Sequence, residues 1–367
     1  YPYMYFDPRP KTKKEDLFNR ENELKQFEDA LSYASIIVVT GLRRTGKTSF
    51  VDVALSKTSH PHVFLDMRDL PVVPSRAGII RKIETAFDKM DKKWLSKLSD
   101  ALKHVKGVTF AGTSVTFDWG EKGVDLTELF DKIDTWAKKH NEHFLLAIDE
   151  VQLIRGDKTI PRLFARIADV NRNIIIIVTG SEIGLLYDFL GFDTPESPLY
   201  GRHYVEIKMR NFTPEEARTF LKTGFKQVNI SCSEAIIEYA IQKLDGVAGW
   251  LTLFGAKSRD VNKCTKQTVD DVLDEGGKLA RTEALKIVKF SSRYGVILNY
   301  LANTKKASWG KIKTALEVHE KRSLPSSSFT ELLNKLIKTS LIEKEDSEYC
   351  IADPLLAHGI QKEPFKE

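Results

Sequence analysis

The sequence predicts an α/β domain built on a parallel β-sheet, then a small helical domain and a winged helix-turn-helix domain. Short, continuously apolar runs alternate with helical patterns as far as residue 208, as in parallel strands that helices cover on both faces. Helical patterns alone follow to about residue 284. The last segment has three helical patterns and two short strands, which is the order of elements in a winged helix.

Length and composition agree with several globular domains. The chain has 367 residues, of which 42% are apolar and 29% are charged, and one hydrophobic core rarely serves more than about 250–300 residues. We predict three domains, at residues 1–208, 209–284 and 285–367. No run approaches the ~20 apolar residues that span a bilayer, and the first residues lack a secretion-signal pattern. We therefore expect a cytoplasmic protein that does not enter membranes.

Charge and cysteine content narrow the choice of partners only slightly. The net charge of +5 is compatible with nucleic-acid binding, but it is also ordinary for a solvated surface. Cys232, Cys264 and Cys350 are widely spaced and form no C-x-x-C pair. We therefore expect no disulfide framework and no zinc site, in keeping with a reducing cytosol.

In the first domain, apolar runs predict strands and the amphipathic stretches between them predict helices. The predicted strands are Ile36–Thr40, Val63–Met67, Phe144–Ile148 and Ile174–Val178, and Gly107–Trp119 is predicted as a β-hairpin that turns at Gly112 and Thr113. The predicted helices are one from the N-cap Asn19 to Leu31, one from Thr48 to about Leu55, one from about Ser75 to Met90, residues 94–104, Leu126–His140 and Ile160–Val170. Ligands of such sheets bind at the carboxyl ends of the strands.

The second and third domains are predicted from helix signals. Thr213-Pro214-Glu215-Glu216 is a capping box with a proline in the first turn, which marks a strong helix start. In the third domain the predicted helices are Tyr294–Leu301, Ser308–Leu316 and Ser326–Thr339, and the predicted strands are Leu341–Glu343 and Tyr349–Ile351.

The most specific motif is a phosphate-binding loop directly after the first predicted strand. Residues 41–48 are G-L-R-R-T-G-K-T, a complete G-x-x-x-x-G-K-[ST] pattern that a helix follows. The residues expected to surround the phosphates with backbone N–H groups or side chains are Gly41, Leu42, Arg43, Arg44, Thr45, Gly46, Lys47, Thr48 and Ser49. Lys47 would bind the β- and γ-phosphates, and the Thr48 hydroxyl would be a ligand of Mg²⁺. Arg43 and Arg44 are expected to be solvated or to attract phosphate.

Two adjacent acids after the strand Phe144–Ile148 predict hydrolysis as well as binding. Asp149 would hold Mg²⁺ together with Thr48, and Glu150 would polarise the attacking water. Neighbouring carboxylates at the end of a buried strand are unfavourable unless they face a cation. The next strand ends in T-G-S, and the hydroxyl of Thr179 or Ser181 would hold the water or the γ-phosphate, with capping of the strand end as the alternative.

An arginine and two apolar segments are further candidates. Arg202 ends the segment P-L-Y-G-R and would stabilise charge on the γ-phosphate, in cis or in trans, unless it is an ordinary surface arginine. Phe18 and Arg20 would line a slot for the nucleobase. Gly249 lies in G-V-A-G-W and would let a helix approach the nucleotide, while Trp250 would either stack on the base or pack in a core.

DNA binding by the third domain is open from sequence alone. Its third predicted helix has five polar side chains that suit phosphate and base-edge contacts, namely Ser327, Thr330, Asn334, Lys335 and Lys338. Residues 285–367 contain 14 Lys and Arg against 10 Asp and Glu, and the wing tip at residues 345–348 is acidic, which would repel a DNA backbone. A protein-interaction or packing module is the alternative.

Taken together, these motifs resemble the archaeal ATPase family, in the STAND branch of AAA+-like P-loop ATPases. The resemblance rests on the F-N-R-E-N-E-L box at residues 18–24, the phosphate loop, I-D-E at 148–150, T-G-S at 179–181, P-L-Y-G-R at 198–202 and A-D-P-L-L at 352–356. It implies an α/β P-loop NTPase core of the AAA+/ASCE type, a helical lid and a winged helix, with ATP or ADP and Mg²⁺ bound. One departure is that Trp250 follows Gly249 where the family usually has a proline.

The resemblance also implies a function. We expect an ATP-hydrolysing molecular switch with slow basal turnover, whose lid and winged helix rearrange with nucleotide state. A DNA-processing or clamp-loader-like AAA+ motor and a nucleotide-stabilised DNA-binding regulator are the alternatives, and Glu150 argues against a regulator that hardly hydrolyses. The short chain and modest charge favour a monomer or weak oligomer. The winged helix is expected to contact DNA or a protein partner.

Overall fold

A five-stranded parallel sheet forms the centre of the first domain. The computed structural model describes residues 4–71, 74–111, 114–118 and 123–366. The strands of the sheet are β1 (Ile36–Thr40), β2 (His62–Asp66), β5 (Phe144–Asp149), β6 (Ile174–Gly180) and β7 (Val205–Lys208). Their order is β2-β5-β6-β1-β7, with every pairing parallel. Because β6 lies between β5 and β1, the ends of these three strands meet at one carboxyl edge.

Helices cover both faces of this sheet. They are α1 (Glu21–Ala30), α2 (Lys47–Lys57), α3 (Arg76–Asp88), α4 (Lys92–Leu102), α5 (Leu126–His140), α6 (Thr159–Val170) and α7 (Ile183–Leu190). Alternate residues of β1 enter two different apolar cores, with Ile36 and Val38 in one and Ile37 and Val39 in the other. This burial on both faces explains why the strands are continuously apolar.

The rest of the chain is helical apart from one small antiparallel sheet. The helices are α8 (Pro214–Gln227), α9 (Glu234–Leu244), α10 (Ala248–Asp260), α11 (Lys266–Val288), α12 (Ser292–Thr304), α13 (Trp309–Glu320), α14 (Ser326–Lys338) and α15 (Pro354–Lys362). The sheet has the order β8-β10-β9 and consists of β8 (Lys306–Ser308), β9 (Ile342–Glu345) and β10 (Glu348–Ile351). The predicted fold class, an α/β core with a helical lid and a winged helix, is confirmed.

The lid and the winged helix share one apolar core. This core contains buried residues from α8 through to α15. Helix α11 continues to Val288, past the predicted boundary at residue 284, and packs along α15. Where the two helices cross, a Cβ atom on Gly359 would lie 2.2 Å from the carbonyl oxygen of Gly277. The two glycines therefore allow backbone contact, and the second and third predicted domains pack as one body.

Several local predictions have a clear outcome. The capping box is confirmed, since the Thr213 hydroxyl accepts from the Glu216 N–H and the Glu216 carboxylate accepts from the Thr213 N–H. The prediction that Asn19 caps α1 is wrong. Asn19 and Arg20 both have left-handed backbone, at φ 58° and φ 80°, and the N-cap is Arg20. The Asn19 side chain donates to Glu216 at 2.7 Å instead of capping the helix. Strands β7 and β8 and helices α7 and α15 were not predicted.

The β-hairpin of the first domain is confirmed in its strands. It consists of β3 (Val108–Ala111) and β4 (Ser114–Phe117), which pair antiparallel. The predicted turn at Gly112 and Thr113 and the predicted last residue Trp119 lie outside the described residues.

The expectation of no disulfide is wrong. Cys232 and Cys264 are bonded, with their Cα atoms 5.2 Å apart, while Cys350 is a buried free thiol. Each bonded cysteine lies two residues before a helix, α9 in one case and α11 in the other, and these helices pack side by side. The packing brings together two residues that are 32 positions apart in the sequence, which spacing alone does not reveal.

Within the described ranges, none of the helices has both the length and the apolar character that crossing a bilayer requires.

Candidate functional site

The phosphate loop connects β1 to α2 as the sequence predicts. Gly41 has φ 151°, and a Cβ atom there would lie 2.4 Å from the Met209 carbonyl oxygen, so only glycine fits. Gly46 is the N-cap of α2 at φ 92°. The loop therefore ends at the amino end of a helix, where free N–H groups and the helix dipole favour an anion.

Lys47 is buried and points back at the loop. Its ammonium donates to the carbonyl oxygens of Gly41 at 3.0 Å and Leu42 at 2.9 Å. Burial lowers the pKa of Lys47, and the nearby carboxylates of Glu150 and Asp149 offset part of that effect. A phosphate bound to the loop would compete with the two carbonyls for this ammonium, because an anion is the stronger acceptor.

Asp149 holds two hydroxyl groups at the end of β5. The Thr48 hydroxyl donates to its Oδ2 at 2.8 Å, and the Thr179 hydroxyl donates to its Oδ1. Asp149 is fully buried, and burial raises the pKa of its carboxyl group even though both hydrogen bonds oppose this. A carboxylate next to a hydroxyl is the hard oxygen donor set that Mg²⁺ prefers, so Thr48 and Asp149 fit this ion.

Glu150 turns into the site in a left-handed conformation at φ 55°. Its Oε2 atom accepts three hydrogen bonds, from the Ser181 N–H at 3.0 Å, the Ser181 hydroxyl at 2.9 Å and the Gln152 amide at 2.5 Å. Burial by itself would raise the pKa of Glu150, but the Lys47 charge and these hydrogen bonds outweigh it and keep the pKa below its usual value. Glu150 is therefore ionised at neutral pH.

Thr179 and Ser181 bond to different acids. Thr179 donates to Asp149 and accepts from the Glu150 N–H at 3.1 Å, whereas Ser181 bonds to the Glu150 carboxylate. Sequence reasoning missed Gln152. A signal was present, since this residue is the one polar position in the otherwise apolar stretch V-Q-L-I after the two acids.

Arg43 and Arg44 join the loop to the lid and the winged helix. Arg43 pairs with Glu182, just before α7, at 3.1 Å and with Glu283 of α11 at 3.0 Å. Arg44 pairs with Glu283 at 2.8 Å and lies 3.8 Å from Asp353, the N-cap of α15. Carboxylates from the lid and the winged helix, together called the second body, therefore lie against the loop. The expectation of solvation is wrong for Arg44, whose side chain is 17% exposed, whereas the Arg43 side chain keeps 35% of its surface exposed. A contact between them and phosphate stays a prediction.

The G-V-A-G-W segment also packs on the loop. The Gly249 N–H donates to the Arg44 carbonyl oxygen at 2.9 Å, and a Cβ on Gly249 would lie 2.7 Å from the Arg44 Cβ. Trp250 is buried and its indole N–H donates to Asp353 at 3.0 Å. Of the two alternatives for Trp250, packing in the core is confirmed and stacking on a base is wrong. Gly249 approaches the loop closely, as predicted, but its contact with a nucleotide stays a prediction.

Phe18 and Arg20 lie where the first domain meets the lid. The Phe18 ring packs edge-on against Phe212, with centroids 5.3 Å apart. The buried Arg20 guanidinium donates to the Arg210 carbonyl oxygen at 2.6 Å and lies 4.9 Å from the centre of the Phe212 ring. Both residues therefore stabilise this junction, and their predicted contact with a nucleobase stays a prediction.

Arg202 is not gathered with the other candidates. Its guanidinium makes a two-bond ion pair with Asp169 near the end of α6, at 2.9 and 2.5 Å, and also donates to the Pro198 carbonyl oxygen. None of its polar contacts within the described ranges involves the phosphate loop. The role of Arg202 at a γ-phosphate stays a prediction.

The candidate DNA-contacting helix α14 is partly covered. Ser327, Thr330 and Asn334 are exposed, and Lys335 is half-buried. At the carboxyl end, the Lys338 ammonium pairs with Asp188 of α7 at 2.8 Å. A Cβ on Gly184, also in α7, would lie 2.5 Å from the Lys338 Cα. The carboxyl end of α14 is therefore docked on the first domain.

The strand order and the loop chemistry define a P-loop ATPase domain with a winged helix attached. The family model described as an ATPase domain predominantly from Archaea matches residues 17–254, and the chain belongs to this family. A model of the C-terminal winged helix-turn-helix domain of MCM proteins matches residues 289–352. Membership of the ATPase family supports binding of ATP or ADP. No curated protein matches this chain.

Two solved structures are similar over nearly the whole chain. The Walker-type ATPase of Pyrococcus abyssi is 31% identical, with a TM-score of 0.85, and the match covers 98% of this chain and 100% of that one. The ORC2 protein of Aeropyrum pernix, in its ADPNP–ADP complexes, is 12% identical with a TM-score of 0.65, covering 96% of this chain and 94% of that one. The second likeness is one of fold.

Proposed function

We propose that this chain is an ATP-hydrolysing molecular switch, in which the bound nucleotide controls how the lid and winged helix are held against the phosphate loop. The observation that carries the proposal is the pairing of Arg43 and Arg44 with Glu283 and Asp353. The loop that would bind phosphate is thus the same loop that holds the second body in place.

The residues that would bind the nucleotide lie close to one another. The loop N–H groups and the Lys47 ammonium would bind the phosphates, with Lys47 leaving the carbonyls of Gly41 and Leu42. Thr48 and Asp149 would hold Mg²⁺, which when bound neutralises charge on the β- and γ-phosphates. Thr179 fixes the orientation of the Asp149 carboxylate through its hydrogen bond to Oδ1.

Glu150 supports hydrolysis rather than binding alone. It is ionised and half-buried, so it is available as the base that takes a proton from water. The water oxygen bonds to the γ-phosphorus, the bond from that phosphorus to the bridging oxygen breaks, and ADP and phosphate are the products. The Glu150 side chain then carries the proton that the water has lost, and releases it to solvent.

The switch follows from competition for the loop arginines. A γ-phosphate brings negative charge to the loop, where the carboxylates of Glu182, Glu283 and Asp353 already compensate Arg43 and Arg44. Like charges repel, and they do so more strongly in a partly buried site than in water. The ATP-bound and ADP-bound proteins would therefore differ in the free energy that holds the second body against the phosphate loop. Hydrolysis of ATP would return the protein to the ADP-bound arrangement.

The test combines turnover with a measurement of shape. We expect Lys47→Ala to lose nucleotide binding and turnover, and Glu150→Gln to keep binding while turnover falls by about 10²–10⁴-fold. Small-angle X-ray scattering of the Glu150→Gln protein with ATP should differ from that of the wild type with ADP. Normal hydrolysis by Lys47→Ala would refute the hypothesis that the phosphate loop hydrolyses ATP. Identical scattering curves for the ATP-bound and ADP-bound proteins would refute the switch.

A DNA-binding regulator is the second candidate. It is supported by the match of residues 289–352 to an MCM winged helix and by the exposed Ser327, Thr330 and Asn334. The acidic wing tip and the docked end of α14 argue against it. Fluorescence anisotropy with labelled duplex DNA, at low salt and with each nucleotide, decides between the two. We also expect a monomer or weak oligomer, and a stable hexamer with DNA-stimulated turnover would favour a motor instead.

A further inference from the structure

Gln152 has an unusual position for an uncharged amide. It lies in a short 3₁₀ helix, Val151–Ile154, that follows Glu150, and its side chain is 1% exposed. Its amide nitrogen donates to Glu150, whereas its Oε1 atom is buried with no hydrogen-bond partner in the described part of the chain. Burying an amide with one unpaired atom is unfavourable, because that atom has lost its hydrogen bond to water. A packing role alone would be served better by an apolar side chain.

Three donors converge on one oxygen of Glu150. The Gln152 amide and both the N–H and the hydroxyl of Ser181 bond to Oε2. Within the described ranges, Oε1 of Glu150 accepts no hydrogen bond from the protein. The protein therefore fixes Oε2 of this carboxylate by hydrogen bonds and leaves Oε1 available to another donor.

The neighbouring strand makes room for the amide. A Cβ atom on Gly180 would lie 2.6 Å from the Gln152 Oε1 and 3.0 Å from the Leu186 side chain. Gly180 separates Thr179 and Ser181, which bond to the two acids. The absence of a side chain at this position therefore lets the Gln152 amide lie beside β6 and reach Glu150.

We infer that Gln152 is a positioning residue that, together with Ser181, fixes Oε2 of Glu150 and so presents Oε1 to the attacking water. The inference rests on the proposed hydrolysis and assigns the oxygen that takes the proton. A glutamate side chain has three rotatable bonds, and a base works only when its oxygen is held within reach of the reacting proton. Among the described residues, Gln152 supplies the one donor to this carboxylate that comes from a side-chain amide.

A merely structural role for Gln152 makes different predictions. Loss of packing would lower the melting temperature and affect nucleotide binding and turnover together. It would also lower turnover by the same factor whether or not Glu150 is intact. A positioning role affects kcat but not nucleotide affinity, and it requires the Glu150 carboxylate to be present.

The experiment is a double-mutant cycle in the full chain. Gln152→Met removes the amide while keeping a similar length, and we expect kcat to fall by about 10–100-fold with KM and ATP affinity unchanged. In the Glu150→Gln background the same substitution should change turnover by less than about twofold. Ser181→Ala, which keeps the N–H donor, should have a smaller effect. Gln227→Met, at a half-buried amide in the lid, is the matched control and should leave turnover at the wild-type value.

Two additional measurements keep the inference testable. If Gln152→Met does not fold, Gln152→Glu keeps the shape and replaces the donor by an acceptor, and kcat should again fall. A crystal structure of the folded variant should show the Glu150 carboxylate away from its wild-type position. Unchanged kcat in the folded variant, or an equal loss in the Glu150→Gln background, would overturn the inference while leaving hydrolysis intact. Absence of Lys47-dependent turnover in the wild type would overturn both.

Discussion

The guanidinium of Arg44 lies 4.2 Å from the centre of the Trp250 ring. Arg44 belongs to the phosphate loop, and Trp250 belongs to the lid and donates its indole N–H to Asp353 in the winged helix. These three side chains therefore join the three predicted domains directly. A cation stacked on a buried tryptophan is worth up to about 2 kcal/mol.

The first prediction concerns Glu283, which pairs with both loop arginines. Glu283→Gln removes these ion pairs while keeping the size of the side chain. A charged hydrogen bond is worth about 1.5–3 kcal/mol, so we expect the second body to separate more readily from the loop. Hydrogen exchange should be faster in residues 352–356, which adjoin the loop arginines, than in the wild type.

The matched control for this prediction is Glu331→Gln. Glu331 is exposed on α14 and has no ion pair within the described part of the chain. Its exchange pattern should equal that of the wild type. Equal protection of residues 352–356 in all three proteins would show that the arginine pairs do not hold the two bodies together.

The parts of the site that sequence predicts are the local ones. The phosphate loop lies between β1 and α2, and the two acids follow a strand, because each motif is continuous in the chain and each element has its own periodicity. Their meeting at one edge follows from the parallel sheet. For the same reason the sequence predicts that Thr179 and Ser181 lie at this edge, and the structure assigns each hydroxyl to its acid. Their role at the attacking water or the γ-phosphate stays a prediction.

The missed features depend on packing between distant segments. Phe6, near the start of the chain, is fully buried in the lid, where a Cβ on Gly224 or Gly255 would lie within 2.4 Å of its ring. The pairing of Arg44 with Glu283 joins residues 239 positions apart. Such contacts depend on the relative orientation of whole domains, which no local periodicity contains. The Cys232–Cys264 bond belongs to the same class.

The second prediction concerns Gly184, which makes the docking of α14 on α7 possible. Gly184→Val places a side chain where a Cβ atom alone would lie 2.5 Å from the Lys338 Cα. The clash is with backbone, which cannot rotate away as a flexible side chain can. We therefore expect α14 to move away from α7. The radius of gyration should increase and the Lys338–Asp188 pair should be lost.

Gly310→Ala is the control for this substitution. Gly310 lies in α13, and a Cβ atom there would meet nothing within 4 Å. This variant should scatter X-rays as the wild type does. If Gly184→Val also leaves the scattering unchanged, α14 is not held by this contact.

The third prediction concerns the disulfide in the lid. Cross-linking Cys232 to Cys264 closes a loop of about 32 residues that contains α9 and α10. By chain entropy alone such a bond stabilises the folded state by about 3–4 kcal/mol. The Cys232→Ser/Cys264→Ser variant should therefore melt at a lower temperature than the wild type. A reductant should lower the melting temperature of the wild type only, and if it has no effect there, the two thiols are not joined.

The last prediction concerns pH and the start of α8. The Arg210 side chain hydrogen-bonds to Glu216, and although burial acts in the opposite direction, the pKa of Glu216 is lowered to about 2. A carboxyl group with a lowered folded-state pKa stabilises the fold above its unfolded pKa of about 4.3, and that stability is lost as pH falls towards 2. Because Arg210 is half exposed, the ion pair is worth about 1 kcal/mol or less.

In urea titrations, Glu216→Gln should be less stable than the wild type at pH 6, and the difference should shrink steadily between pH 5 and pH 3. Glu196→Gln, at an exposed glutamate with no described ion pair, should show no such trend, and a Glu216→Gln difference that stays constant with pH would contradict the assignment.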